Sequence, residues 1–451
     1  MIIKKTEKKS VRKKQLTKHS APALELLAPA GNILKMKTAI AYGADAVYLG
    51  IPDFSLRVRI NDFDFSSIKA AVAYARERGT KVYVTANIFA HNSHLPSFVS
   101  YLKKLRVIAP DALIVSDPGI LRLIKKHWPQ AEIHLSTQAN CTNAEAALFW
   151  KEQGVARIVL GREVTLKEIK EIHRAVPQVE LEYFIHGAMC MAYSGRCFLS
   201  KLFVNRSGNL GDCAQPCRWQ YDVNRYSLKA HGHEEELELI EEKHGAYLLN
   251  SRDLCLIKQL PELVKAGVTS FKIEGRAKSV YYQAVVCAVY RRALDLILKK
   301  TPSSNLQEEL KALFHELETK LVHRGYTTGF LLGERADQNI KDSHNKSKWE
   351  FCGQTLASNQ APGNTKASAS TINTNLIFKV HNTIRIGDEV EILLPGQEII
   401  KLKLRHLFDA KTGEEITEAH GGGGSREAML VLPPGSSLVP EFSVLRRKMV
   451  K

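Results

Sequence analysis

From Leu24 to Arg276, short apolar runs rich in β-branched residues alternate with longer stretches whose apolar positions recur every three or four residues. The short runs predict eight strands: Leu24–Leu27, Ala46–Leu49, Lys81–Asn87, Ala112–Ser116, Glu132–Thr137, Arg157–Leu160, Leu181–His186 and Phe271–Glu274. Between them, helices are predicted over Ile33–Tyr42, Phe65–Arg78, Leu95–Ile108, Asn143–Gln153 and Leu166–Ala175, with Gly43, Gly79 and Gly154 placed as C-terminal caps. Strands separated by crossover helices must run parallel, and eight of them predict an α/β fold, a (β/α)8 TIM-like barrel. A doubly wound open sheet is the alternative.

The rhythm changes after the barrel. Tyr281–Lys299 and Asn305–Val322 carry helical periodicity and lead into the turn-rich run His323–Phe330. Residues 353–375 are rich in Ser, Asn, Thr, Ala, Gly and Pro, a composition that predicts a linker. Alternation then resumes in short runs at Leu376–Val380, Glu389–Leu393, Ile399–Leu404, Ala428–Leu432 and Phe442–Leu445, which predict a small C-terminal all-β barrel or sandwich. The expected organisation is a basic tail over 1–22, a barrel over 23–300, a helical extension over 301–352, a linker over 353–375 and a β domain over 376–451.

Polar residues gather where the predicted strands end, the face on which such a barrel carries its active site. They are Asn87, Asp117, Ser136, Gln138, Arg162, Glu163, His186, Lys272, Glu274 and Arg276. Lys272, Glu274 and Arg276 occupy alternate positions, so all three are expected on one side, as a ligand-binding group or as a structural ion-pair network. Arg57 and Arg59 in the second βα loop could clamp a carboxylate or phosphate, or form a solvated basic loop. His186 is a candidate general acid or base, and equally a histidine merely hydrogen-bonded in place. Asn250 and Asp253, before Cys255, are expected to line the same region.

Four of the eight cysteines, Cys190, Cys197, Cys213 and Cys217, fall within 28 residues, directly after the seventh predicted strand, and Cys255 follows downstream. Thiols so closely grouped predict metal ligation, against the alternative of packed or disulfide-bonded cysteines. Only Cys213 and Cys217 have the pair spacing of structural zinc sites, which favours an iron–sulfur cluster over zinc. Cys141, Cys287 and Cys352 lie apart and read as packed thiols.

The chain carries 64 Lys plus Arg against 47 Asp plus Glu, a net charge of +17 that predicts an anionic partner. In the first twenty residues eight basic side chains face only Glu7, leaving a charge of +10 for the remainder. That tail reads as a solubilising arm or as one that gathers RNA phosphates. No apolar run is long enough to cross a bilayer and no signal-peptide core is present, so the expectation is a cytoplasmic chain with reduced thiols and no membrane partner. Hydrolase signatures are incomplete: His233-Glu234 and His315-Glu316 lack the second histidine of a zinc protease, and the glycine run after His420 has no nucleophile elbow to serve.

Several long segments carry a resemblance, in order along the chain: Leu24–Gly31, Gly43–Tyr48, His186–Cys197, Cys213–Trp219 and Phe271–Arg276. With these motifs the chain resembles the collagenase-like peptidases of family U32 over nearly its whole length. Within the family it is most similar to a branch that, with prephenate as co-substrate, makes hydroxyuridine at the tRNA wobble position. A sibling branch that hydroxylates ubiquinone precursors lacks the C-terminal β domain. The resemblance implies a barrel catalytic domain, tRNA as substrate and a [4Fe-4S] cluster. It places the cluster on Cys190, Cys197 and Cys213, with Cys255 ahead of Cys217 as the fourth ligand. In this reading Arg57, Arg59 and Arg276 bind prephenate, His186, Lys272 and Glu274 position the base or move protons, and electron-transfer or cluster-assembly partners serve the cluster. Peptidase activity ranks second, because no protease constellation is recognisable.

Overall fold

The computed structural model describes residues 24–56, 62–190, 193, 197, 199–206, 212–219, 228–229, 236–237, 250–333, 339, 344–345, 347–356, 375–396, 398–421 and 426–449. The N-terminal tail, Arg57, Arg59 and positions 357–374 of the predicted linker lie outside them.

All eight predicted strands form and close on themselves. They are β1 (Glu25–Pro29), β2 (Ala46–Leu49), β3 (Lys81–Ala86), β4 (Ala112–Val115), β5 (Ile133–Leu135), β6 (Arg157–Val159), β7 (Glu180–Ala188) and a closing strand, Val268–Ile273. Each pairs in parallel with the next, and the closing strand pairs in parallel with both β7 and β1. The open-sheet alternative is thereby excluded.

Helices Ile33–Ala41, Phe65–Arg76, Leu95–Ile108, Pro118–His127, Ala144–Glu152 and Leu166–Ala175 return the chain between strands. Most start where a side chain satisfies an otherwise unpaired amide. Asn32, Asp64, Asp117, Asn143 and Thr165 each accept from a backbone N–H in the first turn. Gly43, Gly79 and Gly154 take positive φ just past three helix ends, as the spacing predicts. Side chains facing the helices build the main core, whereas Leu27, Tyr48, Tyr83, Ala112 and Ile114 pack separately inside the barrel.

Beneath the inner apolar layer lies a buried ionic one. Arg157, 3% exposed, donates to Glu25 at 2.5 Å, to Glu180 at 2.6 Å and to Glu182 at 3.2 Å. Tyr83 donates to Glu25 at 2.6 Å, and Ser270 joins Glu25 at 2.9 Å and Glu182 at 3.2 Å. These carboxylates come from β1 and β7, the two strands that flank the closing strand, so one guanidinium from β6 spans the seam at which the barrel closes.

The long segment between β7 and the closing strand contains an antiparallel strand, Asp253–Cys255, paired with the end of β7. Tyr326–Thr327 extends that edge in parallel. Helices Val280–Leu298 and Ser303–Lys320 match the two predicted after the barrel. The C-terminal domain is an antiparallel half-barrel of seven strands. Its member Trp349–Thr355 pairs with Asn375–Val380 and Val444–Lys448, so this unit begins before the compositional break at 353. It is bound to the helical extension by Arg446 with Glu316 at 2.6 Å and by Glu391 with Lys320 at 3.0 Å, and Tyr42 donates to Leu393 O at 2.6 Å.

Candidate active site

At the C-terminal ends of the strands a cavity of about 210 Å³ opens into the barrel. Tyr48, Thr85, Asn87, Ser136, Gln138 and Phe184 supply its barrel side, with Arg162, Lys272, Glu274 and Arg276 at the strand ends. The insertion after β7 supplies the opposite wall: Cys190, Tyr193, Cys197, Cys213, Gln215, Cys217 and Arg218. Four thiols thus meet the polar strand ends across one space, as the placement of the cysteine segment after the seventh strand implies.

Each charged group of the barrel side is held. Lys272 is buried and donates to Glu182 Oε1 at 2.8 Å, with its ammonium 4.5 Å from the centre of the Tyr48 ring. Burial pulls the Lys272 pKa below the usual lysine value, against the attraction of Glu182. For Glu182 burial acts upward, but Lys272 and Arg157 outweigh it and keep the group a carboxylate. Lys272 therefore links the cavity to the ionic layer below and is at once a structural and a cavity-facing cation. Arg162 forms a close ion pair with Glu274 and lies 3.8 Å from the centre of the Phe184 ring. Arg276 donates to Ser55 Oγ at 3.0 Å and to Leu56 O at 2.6 Å. Leu56 is the last described residue before Arg57, and it lines the cavity. Lys278 stands at the rim, its pKa lowered by burial. Five cations and one carboxylate line the cavity, an environment that attracts anions.

The cysteine wall is anchored by a turn. Gln215 adopts a left-handed conformation, and its N–H donates to Cys213 Sγ at 3.3 Å. Ala214 N–H donates to the buried hydroxyl of Ser200 at 2.8 Å. The Cys217 thiol is pushed up by burial; Arg218 lowers it, and the other three thiols, Cys190, Cys213 and Cys197, raise it further. All four thiols line the same cavity. All eight cysteines are described and none forms a disulfide.

Cys255 stands elsewhere. Its sulfur is buried on the antiparallel strand, opposite His186 and 3.6 Å from the Tyr290 hydroxyl, and burial raises its pKa to about 11. The thiol that completes the cavity wall with Cys190, Cys197 and Cys213 is Cys217. Cys141, Cys287 and Cys352 are buried apart, as expected.

His186 does not line the cavity. A register shift between β7 and the closing strand, with Lys272 opposite Phe184 and Ile273 opposite His186, inserts one extra residue in β7. Phe184 faces the cavity, whereas the His186 ring packs among Tyr282, Tyr290 and Tyr326, 3.3 Å from the Tyr290 hydroxyl. Gly187 follows at φ 115°, and a Cβ there would stand 2.5 Å from the Glu274 carbonyl oxygen, so glycine lets β7 and the site strand approach. Asn250 is also withdrawn: it donates to Asn339 O at 3.2 Å and accepts from Asn339 N–H through its own carbonyl at 2.8 Å. Asp117 caps a helix, and Asp253 pairs with Arg324 at 2.5 Å.

Burial drives the His186 pKa down to about 3, so the folded ring is neutral while the unfolded one titrates near the usual value of 6.5. Between those values the unfolded chain binds the extra proton, so stability is complete above about pH 6.5 and falls as pH drops toward 3. His186→Phe is expected to flatten this loss. Thermal melts at pH 7 and pH 5 check it: an unchanged pH slope in the variant would show that the ring is protonated in the fold.

A closed barrel whose strand-end pocket is walled by four thiols defines the class, and comparison specifies it. The model of Peptidase family U32 matches residues 31–341, and the chain belongs to that family. It is 38% identical to tRNA hydroxylation protein P of Escherichia coli (strain K12), covering 94% of this chain and 96% of that one. It is 37% identical to the 23S rRNA 5-hydroxycytidine C2501 synthase of the same organism, over 72% of this chain and 48% of that one. To the collagenase of Porphyromonas gingivalis (strain ATCC BAA-308 / W83) the identity is 32%, over 69% of this chain and 74% of that one. Among the described residues, no helix is long and apolar enough to cross a membrane.

Proposed function

We propose that this chain hydroxylates RNA, and that with prephenate as co-substrate it converts the wobble uridine of tRNA to hydroxyuridine, using a [4Fe-4S] cluster. The observation that carries the reading is the 38% identity, spanning nearly both chains, to a relative named for tRNA hydroxylation. The relative named as an rRNA hydroxycytidine synthase adds a second RNA target for the same kind of chemistry.

The donor set fits such a cluster. It takes one thiolate per iron, and Cys190, Cys197, Cys213 and Cys217 offer four on one wall, with the Gln215 amide and Arg218 to offset their charge. Among the described residues no three His, Cys, Asp or Glu side chains converge as a single ion requires. Replacing a ring hydrogen by hydroxyl is a two-electron oxidation that side chains cannot perform, and the cluster would supply electron relay or Lewis acidity beside the substrate.

The protein's own residues bind and orient. Arg276, fixed by Ser55 and Leu56, holds a prephenate carboxylate together with Arg57 and Arg59 of the adjoining loop. Lys272, its pKa lowered by burial, and Glu274 hold or move protons at the pyrimidine ring. His186 has no place in this chemistry, since it lies outside the cavity.

Peptidase activity has one supporting observation, the relative named collagenase. Against it, among the described residues no histidine lines the cavity and Glu274 is the one carboxylate that does. An anaerobic reconstitution with purified chain and unmodified tRNA tests the proposal. Hydroxyuridine is expected with prephenate and not without it; equal product in both would remove prephenate, and no product in either together with peptide cleavage would replace the reading.

A further inference from the structure

Beside the cavity mouth the insertion exposes side chains that a folded protein ordinarily buries. On the short helix Leu199–Val204, Leu202 is 78% and Phe203 51% exposed, Trp219 is 36% exposed, and Tyr193 on the cavity wall is 52% exposed. The Phe203 and Trp219 rings meet edge to face, centroids 6.2 Å apart. The platform is fixed from beneath, where the buried Ser200 hydroxyl accepts from Ala214 N–H at 2.8 Å within the cysteine wall. Cations accompany the rings: Lys201 on the same helix as Phe203, Arg218 next to Trp219 in the chain, and Lys278 on the cavity lining.

We propose that Tyr193, Phe203 and Trp219 form a stacking platform for the unpaired nucleotides that flank the target base in an RNA loop. This inference rests on the RNA-hydroxylation reading and adds the subsite that reading lacks. Three features select single-stranded RNA as the occupant. The patch adjoins the cavity, since Tyr193 and Arg218, the neighbour of Trp219 in the chain, both line it. Aromatic faces accompanied by cations are what splayed bases and their phosphates require, because every base has a face to stack and every linkage a charge to meet. The chain's net charge of +17 favours a polyanion over a neutral apolar partner. A duplex, whose bases are already stacked on each other, gains nothing from the rings.

The test compares the full chain with Phe203→Ala/Trp219→Ala and with Trp219→Phe, titrating each against an anticodon stem-loop RNA and a blunt RNA duplex of equal charge. Stacking lost from two rings is expected to weaken stem-loop affinity by at least about tenfold, with duplex affinity unchanged and Trp219→Phe close to wild type. Both replaced rings are exposed, and thermal melts coinciding with wild type confirm that the variants are folded. Equal weakening toward both RNAs would make the effect a general one and overturn the platform. Unchanged stem-loop affinity would reassign the patch to a protein partner while leaving the RNA reading intact. Failure of the wild-type chain to bind either RNA would remove both.

Discussion

Replacing Cys217 by alanine is expected to bleach the purified protein and reduce tRNA hydroxylation by more than about a hundredfold, whereas Cys255→Ala retains chromophore and activity. The difference follows from position. Cys217 shares the cavity wall with Cys190, Cys197 and Cys213, whose thiols raise its pKa beyond what burial alone does. Cys255 packs behind β7 against Tyr290, where burial holds its proton to about pH 11 and no other thiol of the group accompanies it. Ultraviolet–visible spectra and iron content of the two variants decide the matter. A coloured, active Cys217→Ala beside a colourless Cys255→Ala would move the fourth ligand to Cys255.

The second large effect lies below the site. Arg157→Met is expected to destabilise the barrel by on the order of 3–5 kcal/mol, because it leaves Glu182 with Lys272 alone and strands the buried carboxylate of Glu25, whose other cation, Lys81, stands at 3.9 Å. Neutralising the stranded group at the same time, in Arg157→Met/Glu25→Gln, should recover part of the loss, since the stranded charge rather than the missing contact dominates. Denaturant titration of the three proteins checks this. A single variant within about 0.5 kcal/mol of wild type would show that the layer is hydrated rather than dry.

The barrel was legible because its signal is local. Eight strand runs and five of the intervening helices follow from periodicity, Pro118–His127 being the one not named from it, and Leu95–Ile108 and Leu166–Ala175 coincide with the predicted bounds to the residue. The cavity-facing positions of Lys272, Glu274 and Arg276 follow from their spacing and hold even though the strand itself ends at Ile273. What periodicity does not carry is the consequence of one extra residue. The register shift in β7 turns His186 out of the cavity and toward Tyr290, and no pattern in the segment Leu181–His186 signals it. The ionic layer leaves a trace in the sequence: Glu25, Arg157 and Glu182 interrupt otherwise apolar strands, and a charge on a buried strand demands a partner. Likewise Trp349–Thr355 alternates like a strand but ends inside a stretch whose composition reads as a linker. That Cys217 lines the cavity and Cys255 does not is visible only in three dimensions, because distance along the chain does not say which side of a strand a thiol faces.

The central claim is that this chain hydroxylates tRNA through the cysteine-walled cavity. Its most direct test is a nucleoside mass-spectrometric profile of total tRNA from cells lacking the chain, complemented by the wild type or by Cys190→Ala/Cys217→Ala. Loss of hydroxyuridine-derived wobble nucleosides on deletion, restored by the wild type and not by the cysteine variant, is the expected result. A profile that deletion leaves unchanged would contradict the account.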